Sequence, residues 1–161
     1  MLLYLHILCR FYYADWYFYI SYIGFEEIAL TPKKRGFHLV TEEIVRYIPE
    51  IRKIRTGIVH IFIKHTSASI SLNENADPSV RADMETHFNK MIPENMPYYE
   101  HDTEGSDDMP AHLKSVVIGS SVSIPVTNGL LNMGTWQGIY LCEHRNYGGP
   151  RKIVITIIGE E

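Results

Sequence analysis

The sequence predicts an α+β fold, mainly an antiparallel β-sandwich of jelly-roll-like type with a few short helices. Three observations carry that prediction. Short β-branched and aromatic runs recur along the chain, as in Gly57 to Ile63 and Arg151 to Ile158, and each has the length of a strand. Turn signals separate them, above all Asn128-Gly129 and Asn146-Tyr147-Gly148-Gly149. Only three stretches carry helix-starting chemistry, and all three are short. With 161 residues, 45% apolar and 21% charged, the chain fits one domain with a sizeable core.

In chain order, Phe25 to Leu30 reads as a half-buried strand that stops at Thr31-Pro32, and Lys33 to Phe37 reads as a loop. Thr41 is a suitable N-cap for a helix from Glu42 to Tyr47, with Val40 and Val45 as its hydrophobic staple, and Pro49 ends it. Gly57 to Ile63 is a buried strand. Ser69 to Leu72 alternates and reads as a second strand paired with it. Asp77-Pro78 is a cap followed by proline at the first helical position, opening a helix to Met91 with Val80, Met84, Phe88 and Met91 at helical spacing. Pro93 to Met109 is a long connection of the kind that is usually functional or disordered. Asp108 and Pro110 start a short helix that Gly119 closes. Ser121 to Val126, Leu130-Leu131, Trp136 to Glu143 and Arg151 to Ile158 complete the strands; Trp136 to Glu143 is apolar on both faces and is expected at the centre of a sheet.

Composition narrows the functional classes. A net charge of −4 argues against a broad nucleic-acid surface, since phosphate backbones need clustered Lys and Arg. Lys33-Lys34-Arg35 is the one basic cluster, read either as a solvated loop or as a site for a single phosphate. Cys9 and Cys142 are too few for a Cys-rich zinc cage or a disulfide framework, and a reducing, cytoplasmic setting is the simplest inference. Met1 to Ile23 is dense in Tyr, Phe, Trp, Leu and Ile, but Arg10 and Asp15 interrupt it, so neither a membrane span nor a secretory signal fits. An added packing element, an interfacial anchor and a start codon placed too far upstream all remain as readings of residues 1–23. The domain proper is expected over 24–161.

Among eight histidines, three occupy positions from which side chains reach into pockets: His65 just past a strand end, His101 in the long connection and His112 at a helix start. On a period of two, His65 extends the row Val59, Ile61, Ile63, so it reads either as a core histidine or as a ligand held by a rigid base. Three imidazoles with one open position is a common catalytic zinc arrangement. Glu74, Asp83 and Glu143 are candidates for acid–base work or for hydrogen bonds to a ligating imidazole. Asp83 has a plainer alternative as an exposed residue paired with His87 one turn on. Ser67 and Ser69 serve as nucleophiles only where a base lies within reach.

The strings Arg35-Gly36-Phe37-His38, His65-Thr66-Ser67-Ala68-Ser69, Asn73-Glu74-Asn75-Ala76-Asp77, Tyr99-Glu100-His101, Ala111-His112-Leu113-Lys114-Ser115, Ile124-Pro125-Val126 and Gly134-Thr135-Trp136-Gln137 resemble, in content and order, the YjbQ family, also labelled secondary thiamine-phosphate synthase. The resemblance runs from Gly24 to the C-terminus. It implies a β-sandwich that assembles as a homotrimer, with a divalent metal, zinc by preference, on His65, His101 and His112. It also implies catalytic roles for Asp83, Glu74 and His112 and a small phosphate-bearing substrate, with no nucleic-acid or membrane partner. The activity implied joins a pyrimidine pyrophosphate to a thiazole phosphate and releases pyrophosphate. The alternatives are a metal-dependent hydrolase of a small phosphate ester and a non-enzymatic trimeric module that binds a metal or anion.

Overall fold

The computed structural model describes residues 22–161. Two antiparallel sheets form the sandwich. The larger has five strands in the order β1 (Tyr22–Leu30), β8 (Arg151–Glu160), β3 (Thr56–Ile63), β5 (Ser121–Thr127) and β6 (Leu130–Leu131). The smaller has three: β2 (Gly36–Leu39), β7 (Gln137–Glu143) and β4 (Ala68–Glu74). Strand β1 takes in Tyr22 and Ile23, opposite Gly159 and Ile158, so it begins two residues before the boundary expected at Gly24. The other readings of the N-terminal stretch fall on residues 1–21, outside the described residues.

The main core lies between the sheets. Alternation sends Val59, Ile61 and Ile63 of β3 and Ile153, Ile155 and Ile157 of β8 inward, where they meet Ile70, Ile139 and Leu141 of the smaller sheet. Fully burying one such side chain contributes about 1.5–3 kcal/mol, so these two rows dominate the stability of the sandwich. Helix α1 (Thr41–Tyr47) and the 3-10 turn Pro49–Lys53 close one end with Ile44, Ile48, Ile51 and Ile54. Under Ile54 the chains of β3 and β8 approach so closely that a Cβ on Gly57 would lie 2.5 Å from the Ile158 carbonyl oxygen, which is why glycine stands there.

The outer face of the smaller sheet carries a second core of Phe37, Tyr140 and Cys142, covered by Met84 and Phe88 of α2 (Pro78–Met91) and by Ile118 of α3 (Asp108–Ile118). Strand β7 is therefore buried on both faces at the centre of its sheet, as its unbroken apolar sequence predicts. Helix α2 begins as expected: the Asp77 side chain accepts the Ser79 N–H at 2.8 Å, and Pro78 needs no donor. Among the described residues no helix is long and apolar enough to cross a membrane.

Three expectations need correction. The loop expected over Lys33 to Phe37 gives way at Gly36 to an edge strand, Gly36–Leu39, paired with β7, because Phe37 fills the second core. Strand β4 pairs with β7 and not with β3; the turn at 64–67 carries the chain across the sandwich from one sheet to the other. Thr41 does not cap α1. Its hydroxyl instead accepts the Ile139 N–H at 2.8 Å, tying the helix to β7, and Val40 takes the cap position without a side-chain bond.

Candidate functional site

The turn 64–67, the start of α3 and the end of β7 meet at one end of the smaller sheet. Helix α3 opens with Asp108, a buried carboxylate at the positive end of a helix dipole. His112 stands one turn later, with its Nε2 3.5 Å from Asp108 Oδ1, and its Nδ1–H donates to the Thr66 carbonyl at 3.0 Å. That bond fixes the ring and, in the neutral imidazole, leaves the Nε2 lone pair free to bind. The long connection brings His101 back over α3, with its Nε2 2.9 Å from Asp108 Oδ2 and its ring centroid 5.3 Å from that of His112. One ligand atom from each of His101, Asp108 and His112 lies within 4.8 Å of the others.

These three residues fit a divalent transition metal. Two imidazoles and a carboxylate make up a zinc site of the open kind, and the backbone bond on His112 is the outer support such ligands usually have. His65 is placed beside this set and is not one of the three. Its Nε2 accepts the Lys152 N–H at 2.8 Å, and its Nδ1 lies 3.3 Å from Arg151 Nη1. Burial, and next the Arg151 charge, hold its pKa below the ordinary histidine value. His65 and His112 share a cleft of about 800 Å³, together with Phe62, Thr66, Ser115 and Val116.

Arg151 and Glu143 anchor the floor. Both are buried, and the guanidinium forks onto the carboxylate at 2.7 Å through Nε and 2.6 Å through Nη2. Arg151 Nη2 also reaches the Ser67 carbonyl at 3.4 Å, and so holds the turn that orients His112. Gly148 has to be glycine here: a Cβ would fall 2.3 Å from Glu143 Oε2. Two residues on from Glu143, Arg145 donates to Asp107 Oδ2 at 3.1 Å, to the Glu104 carbonyl at 2.9 Å, and to Asp108 Oδ1.

The remaining candidates lie elsewhere. Glu74 ends β4 six residues from Ala68, roughly 20 Å along the strand, and both its carboxylate oxygens accept the Asp77 N–H at 3.1 Å. Asp83 is exposed on α2 and has no ion pair among the described residues. Of the serines, Ser69 Oγ does sit 2.9 Å from a base, His144 Nε2, but both residues are buried and closed to a substrate. Ser67 lines the cleft with no base beside it. Arg35 of the basic cluster is occupied by Glu85 and Glu94.

Asp108 and Arg145 were missed by sequence reasoning. In sequence Asp108 reads as helix-starting chemistry, yet its i, i+4 spacing to His112 on a helix places both side chains on one face.

The family model described as UPF0047 protein YjbQ-like matches residues 26–160. A relative named UPF0047 protein YjbQ from Salmonella typhimurium is 56% identical over 133 residues, covering 83% of this chain and 96% of its own length. UPF0047 protein YugU of Bacillus subtilis is 40% identical over 123 residues, 75% of this chain and 86% of the relative. Among solved structures, a YbjQ-like protein of unknown function from Sulfolobus solfataricus superposes with a TM-score of 0.74 at 26% identity, covering 86% of this chain and 99% of that one. An uncharacterised YjbQ/UPF0047 protein of Clostridium acetobutylicum gives 0.70 at 34% identity over 83% of this chain and 98% of its own. With nearly all of the described residues matched in sequence and in fold, the chain belongs to the UPF0047 YjbQ-like family.

Proposed function

We propose that this protein binds a divalent metal, zinc by preference, on His101, Asp108 and His112, and uses the adjoining cleft for a small phosphate-bearing substrate. The observation that carries this reading is the convergence of three ligand atoms within 4.8 Å, one of them on His112, which also lines the cleft. When bound, such an ion neutralises developing phosphate charge. Thr66 keeps His112 oriented, and Ser67 offers its hydroxyl to phosphate oxygens. His65 lines the same cleft, its ring held in place by the Lys152 N–H on Nε2.

The reaction we infer is thiamine-phosphate synthesis: the thiazole nitrogen forms the new C–N bond as the carbon–oxygen bond to pyrophosphate breaks. The leaving group carries the charge that the metal would meet. Lys114 is not available for this task, because it is buried with its Nζ donating to Asn89 Oδ1 at 2.5 Å. Asp83 and Glu74 are not among the residues that line the cleft. Hydrolysis of a phosphate ester is the second reading; it is favoured by the exposure of His101, which leaves the ion open to water.

We also infer a homotrimer in a cytoplasmic setting. The outer face of the larger sheet leaves Phe25 60% and Ile58 51% exposed, with Phe62 and Ile158 beside them, an apolar surface suited to a second copy. The test is to assay the purified protein with the two thiamine precursors and with a panel of phosphate esters, with and without chelator. Formation of thiamine phosphate that a chelator abolishes and zinc restores is the expected result. Turnover unchanged after complete metal removal contradicts the metal reading. Turnover of esters alone assigns the hydrolase.

A further inference from the structure

Arg145 stands where a metal's charge would fall. Its guanidinium donates to Asp108 Oδ1, the same carboxylate that His101 and His112 approach, yet a cation and a divalent ion on one carboxylate repel strongly at such range. The same side chain is already held by other acceptors. Asp107 Oδ2 lies 3.1 Å from Arg145 Nε, the Glu104 carboxylate 3.6 Å from Nη1, and the Glu104 carbonyl accepts from Nη2 at 2.9 Å. Asp107 is itself held in place by the Asn146 N–H at 2.8 Å. The backbone beneath stays fixed, because Arg145 N–H donates to buried Glu143 Oε1 at 2.9 Å. The side chain can thus leave Asp108 while its root and two of its acceptors remain.

Resting on the metal reading above, we propose that Arg145 is a resident cation: it occupies Asp108 when no metal is bound and passes the carboxylate to an entering divalent ion, giving up that one bond while it keeps those to Asp107 and Glu104. Metal-free protein therefore never leaves a buried carboxylate uncompensated, and weakly binding ions are kept out by the competition.

Cobalt(II), followed by calorimetry and by its visible absorption, is a suitable probe for the full-length protein and two neutral variants. Arg145→Met removes the cation, and Arg145→Gln removes it while keeping donors for Asp107 and Asp108; the melting transition of each variant verifies that it is folded. The resident-cation account expects both to bind cobalt tenfold or more tightly than the unchanged protein, with thermal stability of the metal-free form reduced. Equal or weaker binding by the variants, with the unchanged protein binding normally, overturns it and makes Arg145 an ordinary support for Asp108. Absence of binding in all three proteins removes the metal reading itself.

Discussion

Two histidine sites less than one strand apart show how placement decides chemistry. At one, His112 and His101 flank Asp108 beside the cleft that His112 lines, with one ring fixed by a backbone carbonyl and its other nitrogen facing the ligand position. At the other, His144 meets Ser69 at 2.9 Å, a nucleophile-and-base pairing by distance alone, but both side chains are buried and the ring packs edge-on against Phe37. Burial pushes the His144 pKa down to about 3, with Lys114 and Arg151 adding to the effect. Access and an unspent lone pair make the first site a candidate for function; their absence makes the second a structural joint. Three consecutive residues at the end of β7 serve both, since Glu143 holds Arg151, His144 holds Ser69 and Arg145 holds Asp108.

The largest effect is expected where both sites share a support. Glu143→Ala leaves Arg151 buried without its carboxylate and should cost about 3–5 kcal/mol, read as a shift in the urea midpoint. If the midpoint moves by less than a third of that, the buried pair does not anchor this end of the sheet. Next, Asp108→Asn or His112→Ala should weaken metal binding by roughly a hundredfold or more, a loss beyond what supporting residues give, while Ser69→Ala leaves it unchanged. Equal losses at both sites would erase the contrast between them.

A smaller effect separates the two by pH. The folded His144 takes up its proton only near pH 3, whereas the unfolded chain does so near 6.5, so between these values the unfolded state binds more protons and stability rises with pH. This amounts to an effect on the order of a few kcal/mol. His144→Gln keeps a partner for Ser69 and should flatten the change in melting temperature between pH 4.5 and 7. Glu94, held below the usual carboxylate range by its bonds to Arg35 and Ser106, adds a separate loss at more acidic pH, as the falling pH passes through its depressed value. The smallest expected effect is Ser69→Ala itself, roughly 1–3 kcal/mol from an orphaned imidazole nitrogen.

Most of the sandwich is legible in the chain because period two and turn chemistry are local. The rows Val59, Ile61, Ile63 and Ile153, Ile155, Ile157, the Asp77-Pro78 helix start and the two-faced β7 all follow from nearest neighbours in sequence. Edge strand β2 does not, because a four-residue strand gains its stability from Phe37 meeting Tyr140 and Phe88 across the fold. The same division holds for the site. His112 is recognisable from its place at a helix start, and His101 from the long loop, but their common partner depends on which atoms of Asp108 are left after it starts the helix. His65 shares its kind of position with them in sequence, while the register of β8, a long-range feature, sets the Lys152 N–H against its Nε2.

The most direct test of the account is the metal content of the purified protein and of its Asp108→Asn variant, measured by elemental analysis with the folded state of each verified by melting temperature. The account predicts one divalent ion per chain in the unchanged protein and none in the folded variant. Full metal content in the variant, or a folded unchanged protein that takes up no ion when supplied with zinc, would contradict it.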